Sequence, residues 1–172
     1  MGAEADGGRP APVLVLGLGN RLLRDDGVGL ELLQRLAQRR VWSPLVELVD
    51  GGTQGLALLP RLEGRSALLV LDAVARGGSP GAVHHLRGAG QCSARRSQSG
   101  HEGNAGELFA VAQLVGDLPA AIEVVGIEPA EVHTGIGLSG PVRAALEPAT
   151  ALSLEALERL CAVAAAEAPC RS

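Results

Sequence analysis

The chain has 172 residues and a formal net charge of -4, from 15 basic residues, all Arg, against 19 acidic ones. A chain of this length suits one domain that buries roughly 70% of its unfolded surface. With 47% apolar and 20% charged residues, wholesale disorder is excluded. Trp42 and Phe109 are the only aromatics, so stacking platforms for single-stranded nucleic acid are absent. The acidic balance argues against a general phosphate-binding surface.

Met1–Ala11 is rich in Gly, Ala and charge, lacks an apolar signal core, and reads as a disordered leader over 1–11. A single α/β domain is expected over 12–168. No apolar run is long enough to span a bilayer. Three cysteines, Cys92, Cys161 and Cys170, show no C-x-x-C spacing and close no disulfide framework, so a reducing, cytoplasmic setting is expected.

In chain order, Pro12–Gly17 is a continuous apolar run of strand length. Val28, Leu30, Leu32, Leu33 and Leu36 form a helical stripe, with Asp25 and Asp26 suited to its N-terminus. Leu45–Asp50 reads as a second strand, followed by Gly51-Gly52-Thr53 and a short helix ending near Pro60. Ser66–Asp72 is the third and clearest strand. Gly81–Arg87 is a fourth, and its short connection favours antiparallel pairing with the third. His84 and His85 alternate across that strand, one exposed and one partly packed. Gly88–Gly100, with Cys92, Arg95 and Arg96, reads as a mobile polar loop suited to gripping an acidic tail. Glu102–Val115 has helical spacing, Ala121–Ile127 is a fifth strand, and Ser139–Ala166 holds helical segments interrupted at Pro148. This alternation predicts a mostly parallel five-stranded sheet with one antiparallel strand, covered by helices on both faces.

Such sheets bind ligands beyond the carboxyl ends of their strands. Three strands deliver acids there: the first leads to Asp25 and Asp26, the second ends at Asp50, and the third at Asp72. Carboxylates gathered on one edge repel, and a cation resolves the repulsion. His101, after the polar loop, adds a softer donor, and a His with two carboxylates suits Zn or Ni better than Ca or Mg. His133 is a weaker candidate. A second histidine for H-E-x-x-H is missing after His101, so a thermolysin-like protease is unsupported. The dinucleotide motif fails because Leu22 occupies the third glycine position. No G-x-S-x-G elbow is present.

The run Gly17-Leu18-Gly19-Asn20-Arg21-Leu22-Leu23-Arg24-Asp25-Asp26-Gly27-Val28-Gly29 resembles the opening motif of the hydrogenase maturation endopeptidases. Asp50-Gly51-Gly52-Thr53, Leu71-Asp72-Ala73, His101, Gly126-Ile127-Glu128-Pro129 and Gly137-Leu138-Ser139 continue the likeness in order. The resemblance implies a three-layer α/β/α sandwich around a twisted sheet. It places Asp26, Asp72 and His101 at metal-ligand positions, with Asp25 turned to the helix N-terminus, and Asp50 as an acid in the cleft. It further implies a monomeric endopeptidase that trims the C-terminal extension of a nickel–iron hydrogenase large-subunit precursor. Nickel is then carried by the precursor, with Zn or Cd as substitutes, and neither nucleic acid nor membrane is a partner. The alternative is a metal-sensing or chaperone module that binds the precursor without cutting it.

Overall fold

Six consecutive buried residues, Val13–Leu18, form strand β1, as expected of a run apolar on both faces. The computed structural model describes residues 10–39, 42, 44–89 and 105–167. The leader over 1–9, most of the polar loop with Cys92, Arg95 and Arg96, and His101 lie outside the described residues. A 3-10 turn over Arg24–Gly27 leads from β1 into helix α1, Val28–Arg39. Strand β2, Val46–Gly52, is followed by a 3-10 turn over Gly55–Leu58 and by α2, Leu59–Leu62. Pro60 lies in the first turn of α2, where its missing N–H costs nothing, so it opens this helix and does not end it. Strands β3 (Ala67–Ala73) and β4 (Val83–Arg87), helix α3 (Ala105–Val115), strand β5 (Ala121–Ile127) and helix α4 (Gly140–Glu167) complete the order.

The sheet runs β2-β1-β3-β5-β4, parallel except for β4. The antiparallel strand is correct, but its partner is β5 and not β3. Burial explains the correction. Six of the seven β5 residues are buried, which requires a neighbour on each side, whereas β4 is mostly half-buried and suits an edge.

Val13, Val15, Leu69, Leu71 and Val125 pack on one face against α1 and α4. Leu14, Leu16, Leu68, Val70 and Val124 pack on the other against α2 and α3. The result is the three-layer α/β/α arrangement. The α4 helix runs through Pro148 without a break. Pro148 is exposed, while Ala145, Leu146, Ala149 and Thr150 on either side of it are buried. Packing of that shared face outweighs the one backbone hydrogen bond that proline removes.

Candidate functional site

The carboxyl ends of β1, β2 and β3 carry the predicted acids, each held by a different local device. At β1, Gly19 adopts φ 121°, a left-handed value that bends the chain away from the strand. A side chain there would stand 1.8 Å from the Asp26 carbonyl oxygen, so only glycine lets the turn close this tightly. The Asn20 amide donates to Asp26 Oδ2 at 2.8 Å. Asp72, near the end of β3, accepts the Ala73 amide on Oδ1 at 2.8 Å. The turn carrying Asp26 packs against β3, so both half-buried carboxylates belong to one corner of the sheet. Two anionic oxygen donors oriented by backbone amides suit a divalent cation, and an added imidazole donor would shift the preference toward a borderline ion. Among the described residues, no third His, Cys, Asp or Glu joins them as a metal group. His101 lies outside that set.

Asp50 occupies a different position. It is exposed at the end of the edge strand β2 and pairs with Gly17 of β1, which pairs in turn with Leu71 of β3. Two strand spacings put its backbone roughly 10 Å from β3. Leu48 packs toward α1, and Val70 packs toward α3. By the two-residue pleat, Asp50 therefore leaves the sheet on the α1 side and Asp72 on the α3 side. Asp50 shares the sheet edge with Asp72 but leaves it on the opposite face.

Asp25 does not face the helix N-terminus. It is fully buried and turned toward the segment after β5. Its Oδ2 accepts the Ala130 and Glu131 amides, both at 2.9 Å, and the Ser139 hydroxyl at 2.8 Å. The Ser139 amide donates to Oδ1 at 2.7 Å. Successive residues of a 3-10 turn point about 120° apart, so adjacent acids cannot share one direction. That geometry is the sequence signal that Asp25 and Asp26 point in different directions.

Glu128, just beyond β5, was quoted from the sequence only as part of a motif. It is buried and accepts the Arg76 and Gly77 amides at 2.9–3.0 Å, fixing the loop that follows Asp72. His84 Nε2 lies 2.7 Å from Glu128 Oε2, and His85 Nε2 lies 2.5 Å from Glu123 Oε2. Neither histidine is the exposed residue expected. The antiparallel register places His84 opposite Gly126 and His85 opposite Val125, so each reaches a carboxylate two residues from its partner, Glu123 within β5 and Glu128 just past it. Arg159 of α4 also donates to Glu123, at 3.0 Å. His133 is exposed, with Nε2 3.3 Å from Glu131 Oε2.

Burial opposes the ionised forms of Asp25, Glu123 and Glu128, but hydrogen bonds outweigh it and hold each pKa below its usual value. The chief donors are Ser139 and Glu131 for Asp25, Arg159 and His85 for Glu123, and Arg76 and His84 for Glu128. A lowered native pKa stabilises the fold above the ordinary values, 3.8 for Asp and 4.5 for Glu, and the gain is lost as protons return. Melting temperature should therefore fall as pH drops below about 4.5, continuing until the native values are passed. Thermal melts between pH 7 and 3 measure this. Asp25→Asn should flatten the acid slope, and an unchanged slope would mean that Asp25 contributes none of it.

Comparison with known proteins agrees with this architecture. Residues 30–156 match the hydrogenase maturation protease family, a span that includes Asp50 and Asp72 and begins four residues after Asp26. The hydrogenase 2 maturation protease of Escherichia coli (strain K12) is 33% identical over 147 residues, 84% of this chain and 90% of that protein. The hydrogenase expression/formation protein HupD of Rhodobacter capsulatus is 39% identical over 127 residues, which make up 73% of this chain and 60% of that longer protein. Among solved structures, the hydrogenase maturating endopeptidase HybD from E. coli superposes with a TM-score of 0.79 at 33% identity, over 86% of this chain and 92% of that one. The NiFe hydrogenase maturation protease HybD from Thermococcus kodakarensis gives 0.66 at 28% identity, over 83% and 97%. With the family match spanning most of the chain and relatives at 33% identity covered almost end to end, the chain belongs to the hydrogenase maturation protease family.

Proposed function

We propose that this protein cleaves the C-terminal extension from the large-subunit precursor of a nickel–iron hydrogenase, after nickel has been inserted. The observation that carries the reading is the pair Asp26 and Asp72, both half-buried at one corner of the sheet and each oriented by a backbone amide. Fixed carboxylates of this kind are suited to sampling a divalent ion presented by a substrate. Nickel enters as part of that substrate, and the same oxygen donors accept Zn or Cd. By the family resemblance, His101 completes the set.

Asp50 then has a separate task. Exposed on the edge strand, it is accessible to an extended peptide and to water, and it supplies a carboxylate for orienting the attacking water. The division is between recognition at Asp26 and Asp72 and proton handling at Asp50. The enzyme works as a monomer in the cytoplasm on this reading, and no described helix is long and apolar enough to cross a membrane.

The test uses the purified precursor in nickel-loaded and nickel-free forms, with mass spectrometry of the released peptide. Release of the C-terminal extension from the loaded form alone is the expected result. Equal release from both forms would remove nickel sampling from the reading. Nickel-dependent binding without any release would replace the protease with a non-cleaving precursor chaperone.

A further inference from the structure

The turn that carries Asp26 is latched to the segment after β5 far more heavily than a surface turn requires. Arg24, a non-glycine residue at φ 53°, sits in a left-handed conformation that its surroundings must impose. Its amide donates to Gly135 O at 3.0 Å, and the Gly135 amide donates back to Leu22 O at 2.9 Å. Its guanidinium reaches Glu131 Oε2 at 2.8 Å and Ile136 O at 3.3 Å. The Asp25 amide donates to Glu131 O at 3.1 Å. At the centre lies the fully buried Asp25 carboxylate with its four donors from Ala130, Glu131 and Ser139. Charge-assisted bonds to buried carboxylates are the strong ones, so this carboxylate governs where the turn sits.

We propose that Asp25, acting through its bonds to Ser139, Ala130 and Glu131, is the positioning residue for the neighbouring Asp26 carboxylate. The proposal rests on the reading of Asp26 as the group that meets the precursor's metal. The two side chains share one rigid turn and leave it in different directions. Asp25 fixes the turn from behind, and Asp26 is thereby kept on the Asn20 amide. Replacing Asp25 by Asn keeps the size but puts an NH2 group where an acceptor is needed. One of the two oxygens then faces a donor with a donor, and the turn is free to shift. Reacting groups displaced by about 1 Å can lose two orders of magnitude in rate.

The test compares Asp25→Asn and Ser139→Ala with Glu123→Gln, which weakens a buried ion cluster with Arg159 and His85 elsewhere in the molecule. All are studied at a temperature where circular dichroism shows them folded. The first readout is hydrogen exchange at the Asn20 amide by NMR in the metal-free protein. The second is single-turnover cleavage at saturating nickel-loaded precursor. Asp25→Asn should speed Asn20 exchange and slow cleavage, each by roughly tenfold or more. Ser139→Ala, which loses one donor of four, should move both in the same direction by less. Glu123→Gln should lower the melting temperature and leave both readouts at wild-type values. An unchanged Asn20 amide in Asp25→Asn would overturn the proposal, as would equal changes in Glu123→Gln, which would signal general loosening. If Asp25→Asn does not fold, Ser139→Ala carries the same test, and no change there overturns it. A responsive amide together with normal cleavage by Asp26→Asn would sink the metal reading of Asp26 while leaving its positioning by Asp25 in place.

Discussion

Replacing Gly29 with alanine should lower the melting temperature by roughly 6–12 °C, the equivalent of about 3 kcal/mol in a domain of this size. Gly29 is the second residue of α1 and lies directly over the ends of two strands. A methyl group there would stand 2.3 Å from the Leu71 carbonyl oxygen and 2.4 Å from that of Leu18. Both obstacles are backbone, held in the ladders that β1 makes with β2 and β3, and cannot swing aside as a long side chain does. The helix must lift instead, loosening Val28, Leu32 and Leu36 from the sheet. Because α1 continues from the Arg24–Gly27 turn, the lift would also move Asp26. Gly140→Ala is the matched control, since an added methyl at the start of α4 meets nothing within 4 Å. That variant should melt within about 2 °C of the wild type. Calorimetry on the three proteins decides the matter, and an unshifted Gly29→Ala would mean that α1 has slack over the sheet.

The parts of this fold legible in the sequence are those reported by burial along one element. The runs in β1 and β3 are apolar on both faces, which only an interior strand satisfies, and α1 shows a stripe at helical period. Less legible is which elements become neighbours. The short connection from β3 to β4 suggests a hairpin, yet β5 enters between them and takes β4 as its partner. Pro148 looks like a break because its local cost is visible, while the packing that offsets it is spread over both flanks. The site divides the same way. Asp26, Asp50 and Asp72 were recognisable as acids at strand ends, a consequence of topology. That Asp50 stands on the far side of β1, and that Asp25 is a buried structural anion, depend on pleat and turn direction. The roles of Glu128 and Ser139 are not legible locally, because Glu128 holds backbone amides and Ser139 donates to the Asp25 carboxylate, all distant in sequence.

The opposite faces taken by Asp50 and Asp72 yield the largest expected effect. Asp26→Asn and Asp72→Asn should each reduce cleavage of nickel-loaded precursor by roughly 100-fold or more, and nickel-dependent precursor binding should fall with it. Asparagine keeps the shape and one acceptor oxygen, so the bonds from the Asn20 and Ala73 amides can persist. What disappears is the negative charge that a cation requires. The fold should therefore survive both changes, with melting temperatures near the wild type. By the family resemblance His101→Ala falls in the same class. Asp50→Asn should behave differently, because Asp50 is exposed, roughly two strand spacings from β3, and directed to the opposite face of the sheet. It should retain nickel-dependent precursor binding and lose cleavage, a defect in kcat and not in affinity. Pull-down of loaded and unloaded precursor, run beside single-turnover cleavage, separates the two classes. Wild-type cleavage by Asp50→Asn would reduce Asp50 to a structural residue of β2. Retained nickel-dependent binding by both Asp26→Asn and Asp72→Asn would place metal sampling elsewhere in the chain. Loss of binding in all three variants would make Asp50 part of precursor recognition as well, and not of proton handling alone.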